Sequence, residues 1–457
     1  MSCCYLGIDL GTTNVKVCLI NEQKEIIRQL ERASNSNIIN PQQPKWHEQD
    51  VKKVLNIAIE LLNEFVDLFD IHKLECIGVS GQMHGVVLWQ KSSLSNSVEN
   101  MVCSNLITWM DQRCDSKFLE GLPKWLDLSG QQTLGSLASG YGCATLGWLV
   151  SHNALDERWD CSGTIMDLFV AYLTNSPQVV MSTQLACSWG YCSGDKWVVK
   201  ENNGRIPVHL LPTIVDPGYV VGLTSSKHAK MPENVKVLVA MGDSQASLLP
   251  VLKQGEAVIH IGTSSQILFS HEDSIDIANY PALMQWPFFF GEKLIAAASL
   301  NGGNAFEIFA EQVASWSKTL FANIPADLML EQGFLDRTLS KPRAQSGTLT
   351  LKPMFLGERH QPEEGASIVG WKANTTADQF LVAVAEGIVS NLAEMMPEVF
   401  FDKYNICTLR LINKATQHVF VEAVKISYPN RKVLTDENCS LSAAYGAAMF
   451  CVLNQNV

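Results

Sequence analysis

The sequence predicts an α/β chain of two domains, each opening on a strand–turn–strand hairpin, and three observations carry that prediction. In the first, Gly7-Ile-Asp-Leu-Gly-Thr-Thr-Asn-Val-Lys16 sets an apolar run, Tyr5 to Leu10, before a Gly-Thr-Thr-Asn turn. Apolar residues resume at Val15, Val17, Leu19 and Ile20, the pattern of a β-hairpin with a tight turn. In the second, Ile259-His-Ile-Gly-Thr-Ser-Ser265 repeats the motif near the middle of the chain, followed by Ile267, Leu268 and Phe269. A repeat at that place is what a duplicated two-domain architecture produces. Thirdly, 457 residues exceed one ordinary core, so two domains of similar size are expected. The repeat puts the boundary near residue 250, dividing the chain into 1–250 and 251–457. No Ser/Pro linker or low-complexity tail marks it.

Taken in order, Lys24 to Arg32 reads as a third strand with a polar face, and Pro41 to Asp50 as a loop ending in an N-cap, Asp50. Val51, Val54, Leu55, Ala58, Leu61, Leu62, Phe65, Leu68 and Phe69 then recur at the i, i+3, i+4 spacing of an amphipathic helix. Leu74 to Val79 is a buried strand running into Ser80-Gly-Gln-Met-His-Gly85, and Leu106 to Trp109 another running into Trp109-Met-Asp-Gln-Arg113. Helices are expected at Gly142 to Val150 and Thr164 to Leu173, with a turn-rich connector at Leu211 to Gly218. Val235 to Ala240 is a strand ending in Gly242-Asp-Ser-Gln-Ala-Ser247. The second half adds a glycine-rich turn, Asn301-Gly-Gly-Asn304, and the charged segment Gly357 to Pro362. A long helix, Thr376 to Met396, follows, and a last helix begins near Ala443. Strands alternating with helices in this way give mixed sheets covered by helices.

The formal net charge of −12 argues against a nucleic-acid or anionic-membrane partner, either of which needs a basic face. A nucleotide remains compatible, because backbone donors and Mg²⁺ handle its charge locally. No apolar run approaches the roughly 18 residues of a membrane helix. The first strand starts within a few residues of Met1, so no signal peptide is expected. Thirteen cysteines without CxxC or zinc spacing read as free thiols in a reducing cytosol, giving a cytoplasmic expectation.

Several polar residues can carry chemistry, each beside a plainer reading. The first turn can wrap a phosphate, since successive N–H groups form an anion-binding concavity, or it is an ordinary hairpin. Asp9 can hold Mg²⁺ beside such a phosphate, or is a strand-edge carboxylate. His260 stands in its place in the second copy, so only the first offers a metal ligand. Asp243, after the last strand of the first domain, suits a general base for in-line phosphoryl transfer, or caps the following helix. Gln82, Met83 and His84 present polar atoms to a small ligand, or His84 is satisfied by a backbone carbonyl. Trp109, Asp111 and Arg113 can orient a sugar, or Asp111 and Arg113 form a surface ion pair of little value. Glu358, Arg359 and His360 are open to reading as a solvated loop. GxxxxGK[ST] and GxGxxG motifs are absent, which excludes a P-loop enzyme and gives no sign of a dinucleotide fold.

Together Gly7 to Lys16, Ser80 to Gly85, Trp109 to Arg113, Gly242 to Ala246 and Ile261-Gly-Thr263 resemble the FGGY carbohydrate kinases over essentially the full chain. Ser188-Trp-Gly-Tyr191, Ser299 to Asn304 and Gly357 to His360 are similar to the sedoheptulokinase branch of that family. The resemblance implies two ribonuclease-H-like domains of the actin/hexokinase superfamily with an interdomain cleft. It also implies ATP-dependent phosphorylation of a ketose, sedoheptulose first and a pentulose such as xylulose second. A non-catalytic sugar-binding relative is the remaining alternative. By resemblance, Asp243 is the base and Asp9 holds Mg²⁺. Gly11, Thr12, Thr13 and Lys16 serve the first phosphate loop, and Gly262, Thr263 and Asn304 the second. Gln82, Met83, His84 and Gln245 line the ketose site with Asp111 and Arg113 in support, in a monomer or homodimer. Two departures stand out. Leu411-Ile-Asn-Lys-Ala-Thr416 has no glycine where these kinases carry a glycine turn against adenosine, so its side chains are expected to crowd that pocket or to change the nucleotide pose. Thr183 stands where they commonly place an Asp.

Overall fold

The opening hairpin lies in the middle of a sheet. The computed structural model describes residues 3–68, 73–122, 137–176, 178–199, 205–225, 230–320, 349–358, 361, 363–436 and 441–455. In it β1 (Cys4–Leu10) pairs antiparallel with β2 (Asn14–Asn21), setting Asp9 opposite Lys16. β3 (Ile26–Ala33) adds antiparallel to β2, with an almost wholly exposed polar face. The chain then crosses through α1 (Val51–Leu68) and returns as β4 (Leu74–Gly81), parallel to β1. Asp50 caps α1, its Oδ1 accepting from the Lys52 and Lys53 amides at 3.0 and 3.3 Å. Val51, Val54, Leu55, Ala58, Leu61, Leu62 and Phe65 of α1 are buried, as their spacing requires. Phe69 falls outside the described residues.

β4 is flanked by β6 (Lys236–Leu238), with β5 (Val220–Leu223) at the edge, so the sheet runs β5-β6-β4-β1-β2-β3. Helices α2 (Gly142–Ser151), α3 (Ile165–Thr174) and α4 (Thr183–Trp189) follow in the same unit. Gly242 lies beside Gly81 at the end of β4 and starts α5 (Asp243–Leu248). The expected strand at Leu106 to Trp109 spans only Leu106–Ile107. The chain turns there because the Thr108 amide donates to His47 O and the Asp111 amide to Thr108 O. The connector at Leu211 to Gly218 contains a short strand, Thr213–Val215.

A second sheet repeats the first. β7 (Glu256–Ile261) pairs antiparallel with β8 (Ser265–His271), and β8 with β10 (Lys293–Ser299), which β9 (Leu283–Pro287) borders. β11 (Thr408–Asn413) lies parallel to β7, and β12 (Lys432–Asp436) parallel to β11. α6 (Asn304–Leu320), α7 (Ala377–Met395) and α8 (His418–Ser427) belong to this unit. Thr376 caps α7 in a reciprocal box with Gln379.

The final helix, α9 (Ala443–Asn454), rejoins the first unit. Packing groups Met1–Pro250, Pro287–Phe290 and Leu441–Val457 as one unit, and Val251–Trp286 and Gly291–Ser440 as the other. The units therefore part at 250/251, but 251–457 is not one packing unit. Glycines and alanines let α9 approach closely. A methyl on Gly7 would come 1.8 Å from Ala444 O, and one on Gly446 would come 1.7 Å from Ala246 O in α5. Among the described residues all cysteines are free, and no helix is long and apolar enough to cross a membrane.

Candidate active site

In the first unit the Gly11–Asn14 turn closes through Gly11 N to Asn14 O at 3.1 Å. It is braced from outside. The Gln49 side-chain amide donates to Thr12 O at 2.7 Å, the Trp109 indole to Thr12 Oγ1 at 3.1 Å, and Ser34 N to Thr13 O at 2.7 Å. Among the described residues the Thr12 and Thr13 N–H groups have no acceptor, so they remain available to an anion. Lys16 on β2 reaches Glu31 at 3.4 Å.

Asp9 lies one residue before the end of β1, buried, with Oδ1 lacking any hydrogen-bond partner. Burial first, and the Asp243 charge second, push its carboxyl up to about 7, with Lys16 and Ser80 pulling the other way. Asp243 is itself pushed up to about 6 by burial, although Ser244 N donates to its Oδ1 at 2.7 Å. The Asp243 charge is thus felt at Asp9, and a cation bound beside either carboxyl would favour its ionised form. Gly242, not Asp243, occupies the N-cap position of α5.

Three side chains converge beside Asp243. A methyl on Gly242 would come 2.2 Å from Gln245 Oε1 and 2.6 Å from the Met83 sulfur, while Gly242 N donates to Gln184 Oε1 at 3.3 Å. Gln82 is buried and gives its Nε2 to Gln49 Oε1 at 2.8 Å. The Oε1 atoms of Gln82 and Gln245 and the Nε2 of Gln184 are buried without partners. Unpaired buried amides cost stability, and these three leave polar atoms that a bound polar ligand could pair. His84, with φ 72°, stacks on Tyr141 at 4.6 Å, and its Nδ1 meets Ser188 O at 2.7 Å.

Asp111 and Arg113 form a buried unit, not a surface pair. Both Asp111 oxygens are taken by Arg113 and by the His47 and Arg113 amides. Arg113 adds Glu48 at 2.6 Å and lies over Trp46 at 4.3 Å and Trp148 at 5.4 Å. This cluster holds the loop from Lys45 to Glu48, which leads into Gln49, and spends its polar atoms doing so. Thr183 is buried in the first turn of α4, capped by Ser182. Gln49, Gln184 and Tyr141 went unnoticed in the sequence. Gln184 adjoins the Thr183 departure, which was its one available signal.

In the second unit Gly262 N closes its turn on Ser264 O at 2.9 Å. A second loop crosses it, with Gly303 N donating to Gly262 O at 2.7 Å and Asn304 N to Thr263 O at 3.1 Å. Methyls on Gly302 and Gly303 would strike Ser264 and Gly262 backbone at 2.3 and 2.5 Å, so both glycines are required. The Asn304 side chain is spent inside its own turn, on Gly302 N and Leu300 O. Glu358 is buried, which corrects its reading as a solvated loop. It accepts from Ser299 Oγ, Leu300 N, Asn301 Nδ2 and Asn391 Nδ2, fixing the glycine turn from below. Arg359 and His360 lie outside the described residues. His260 is held toward its neutral form by burial.

Among the described residues no three His, Cys, Asp or Glu groups gather for a metal. The first unit carries a turn with free N–H groups, two raised carboxyls and unfilled amides, and the second carries a turn crossed by glycines. Residues 4–250 match the FGGY family of carbohydrate kinases, N-terminal domain. The chain belongs to that family. The human sedoheptulokinase is 34% identical, covering 86% of this chain and 85% of the human protein. The mouse sedoheptulokinase is 31% identical, covering 97% and 96%. A xylulose kinase structure from Rhodospirillum rubrum superposes with a TM-score of 0.79 at 18% identity, covering 99% of this chain and 90% of that one. This FGGY chain is thus a sugar kinase of the two-domain actin/hexokinase fold, with ATP as co-substrate.

Proposed function

We propose that the protein phosphorylates a ketose at its terminal hydroxyl, converting sedoheptulose to sedoheptulose 7-phosphate. The carrying observation is the Asp9–Asp243 pair, with the unpartnered amide oxygens of Gln82 and Gln245 nearby. Asp243, raised to about 6, takes the acceptor hydroxyl's proton near neutral pH, where a base of that strength works best. Gln82, Met83, His84 and Gln245 hold the sugar, whose hydroxyls pair the unfilled amide oxygens. Asp111 and Arg113 support that loop. Gly11, Thr12 and Thr13, with Lys16 behind them, and Gly262 and Thr263, with Asn304 holding their turn, take the phosphates.

Mg²⁺ fits the residues present. Asp9 Oδ1 is a buried acceptor without a donor, and Mg²⁺ is commonly bound through one or two carboxylates plus water and phosphate. Asp9 would hold it, directly or through water, and when bound it supplies charge neutralisation of the transferring phosphoryl group. The free thiols suit a reducing compartment, and this reading places the enzyme in the cytoplasm.

The sugar kinase fold is shared with xylulose kinases, which keeps a pentulose as the second substrate reading. Both are tested by ADP release with sedoheptulose, xylulose, ribulose and glycerol, run beside Asp243→Asn. Sedoheptulose is expected to give the highest kcat/KM. Turnover of none of the four, or full activity in the variant, refutes the catalytic reading and leaves a sugar-binding relative.

A further inference from the structure

We propose that Lys414 is a polyphosphate-binding residue of the nucleotide site, an inference that rests on the kinase reading above. The backbone delivers it there. β11 ends at Asn413 with φ 55° and ψ −135°, a conformation glycine takes freely and Asn adopts only under strain. The segment expected to crowd the site for want of glycine thus keeps a glycine-like turn. Thr416 Oγ1 donates to Asn413 O at 2.7 Å, Gln417 N donates to Lys414 O at 3.1 Å, and Ala415 is buried. That anchored turn fixes where Lys414 departs.

Although Lys414 is exposed, its ammonium folds back over the glycine loop. A methyl on Gly303 would come 3.3 Å from Lys414 Nζ and 2.5 Å from Gly262 O. The ammonium therefore sits where the Gly302–Gly303 strap crosses the Gly262–Ser264 turn. Among the described residues it has no carboxylate partner, and the Thr263 and Ser264 N–H groups beside it have no acceptor. An unpaired ammonium with two free N–H groups on a glycine-walled turn recognises a phosphate oxygen, the ammonium acting as a point charge. Phosphates of a nucleoside di- or triphosphate supply such oxygens; adenosine alone does not.

The test is calorimetry on the full chain with ADP, inorganic pyrophosphate and adenosine, comparing wild type, Lys414→Met and Lys414→Arg. Lys414→Met is expected to weaken ADP and pyrophosphate by about 10-fold and to leave adenosine unchanged, with Lys414→Arg recovering most of the loss. ADP binding within twofold of wild type, or an equal loss for adenosine, overturns the proposal. Ketose turnover by the wild type separates the two claims. Turnover together with an unaffected Lys414→Met overturns the lysine's role alone, and absent turnover overturns the kinase reading.

Discussion

Leu10 in the first sheet faces Val15 across the hairpin and Gly81 on the parallel strand; Ile261 in the second faces Ser265 and Asn413 in the same way. The residues that leave the parallel strands at these matching points are Gln82 and Lys414. One is a buried amide with an unfilled oxygen, the other an ammonium over a glycine turn. The strands before the turns differ just as sharply. Asp9 carries a carboxyl raised by its surroundings, and His260 is a ring that burial holds toward its neutral form. A duplicated frame thus fixes where a side chain arrives, while the residue's chemistry decides what that place handles. Acids and amides gather in the first copy, and an ammonium with free N–H groups in the second.

Asp243→Asn is the harshest test of that division. It is expected to lower kcat by about 1,000-fold while sugar affinity by calorimetry stays within about twofold. Asp9→Asn comes next, costing about 100-fold in kcat/KM yet raising thermal stability. A carboxyl whose folded pKa is about 7 against an ordinary 3.8 binds more protons folded than unfolded between those values. Stability therefore falls as pH climbs through that window, and an asparagine escapes the loss. Calorimetric scans should show the variant melting about 2 °C higher at pH 8 and level with wild type at pH 4. A variant that melts lower at pH 8 would mean Asp9 is a structural residue.

Smaller effects sharpen the comparison. With Asp243 at about 6, kcat/KM is expected to rise with pH and level off near 7, losing about 10-fold at pH 5. A profile flat from pH 5 to 8 would remove Asp243 as the base. Glu358→Gln keeps one carbonyl oxygen for the three donors at Oε1 but sets an NH2 against the Leu300 amide and removes the charge, so the second copy's glycine turn loosens. ADP affinity should drop about 3- to 5-fold with sugar affinity unchanged, both read by calorimetry.

Local pattern made much of the fold legible. The spacing from Val51 to Phe65, the Asp50 cap and the two Gly-Thr turns each record a short-range rule, and each forms as read. The positions of Asp9, inside the first apolar strand, and of Asp243, after the last strand of the first half, are also legible, whereas the burial that raises both carboxyls is not. Other features depended on partners far away in the sequence. Arg113 lies over Trp46 and Trp148, so nothing near residue 113 announces its burial. Leu106 to Trp109 looked like a strand because apolar residues cluster there, but bonds to His47 bend it after two residues. Glu358 read as solvated because its four donors come from residues on α7 and around the glycine turn. The positive φ of Asn413 left no mark, since the residue that usually signals it is glycine.

The return of α9 to the first unit has a consequence for how the protein is made. β1, which carries Asp9, and α5, which carries Asp243, both press against this helix through methyl-free contacts at Gly7 and Gly446. On the ribosome, the whole second unit is translated between α5 and α9, a delay of roughly 10–40 s at ordinary elongation rates. During that interval every residue proposed for the acceptor half exists, but the surface that seats them is missing one wall. The first unit to be synthesised is thereby the last to be completed. A nascent chain arrested before Ala443 would carry all of the acceptor chemistry on an unfinished core.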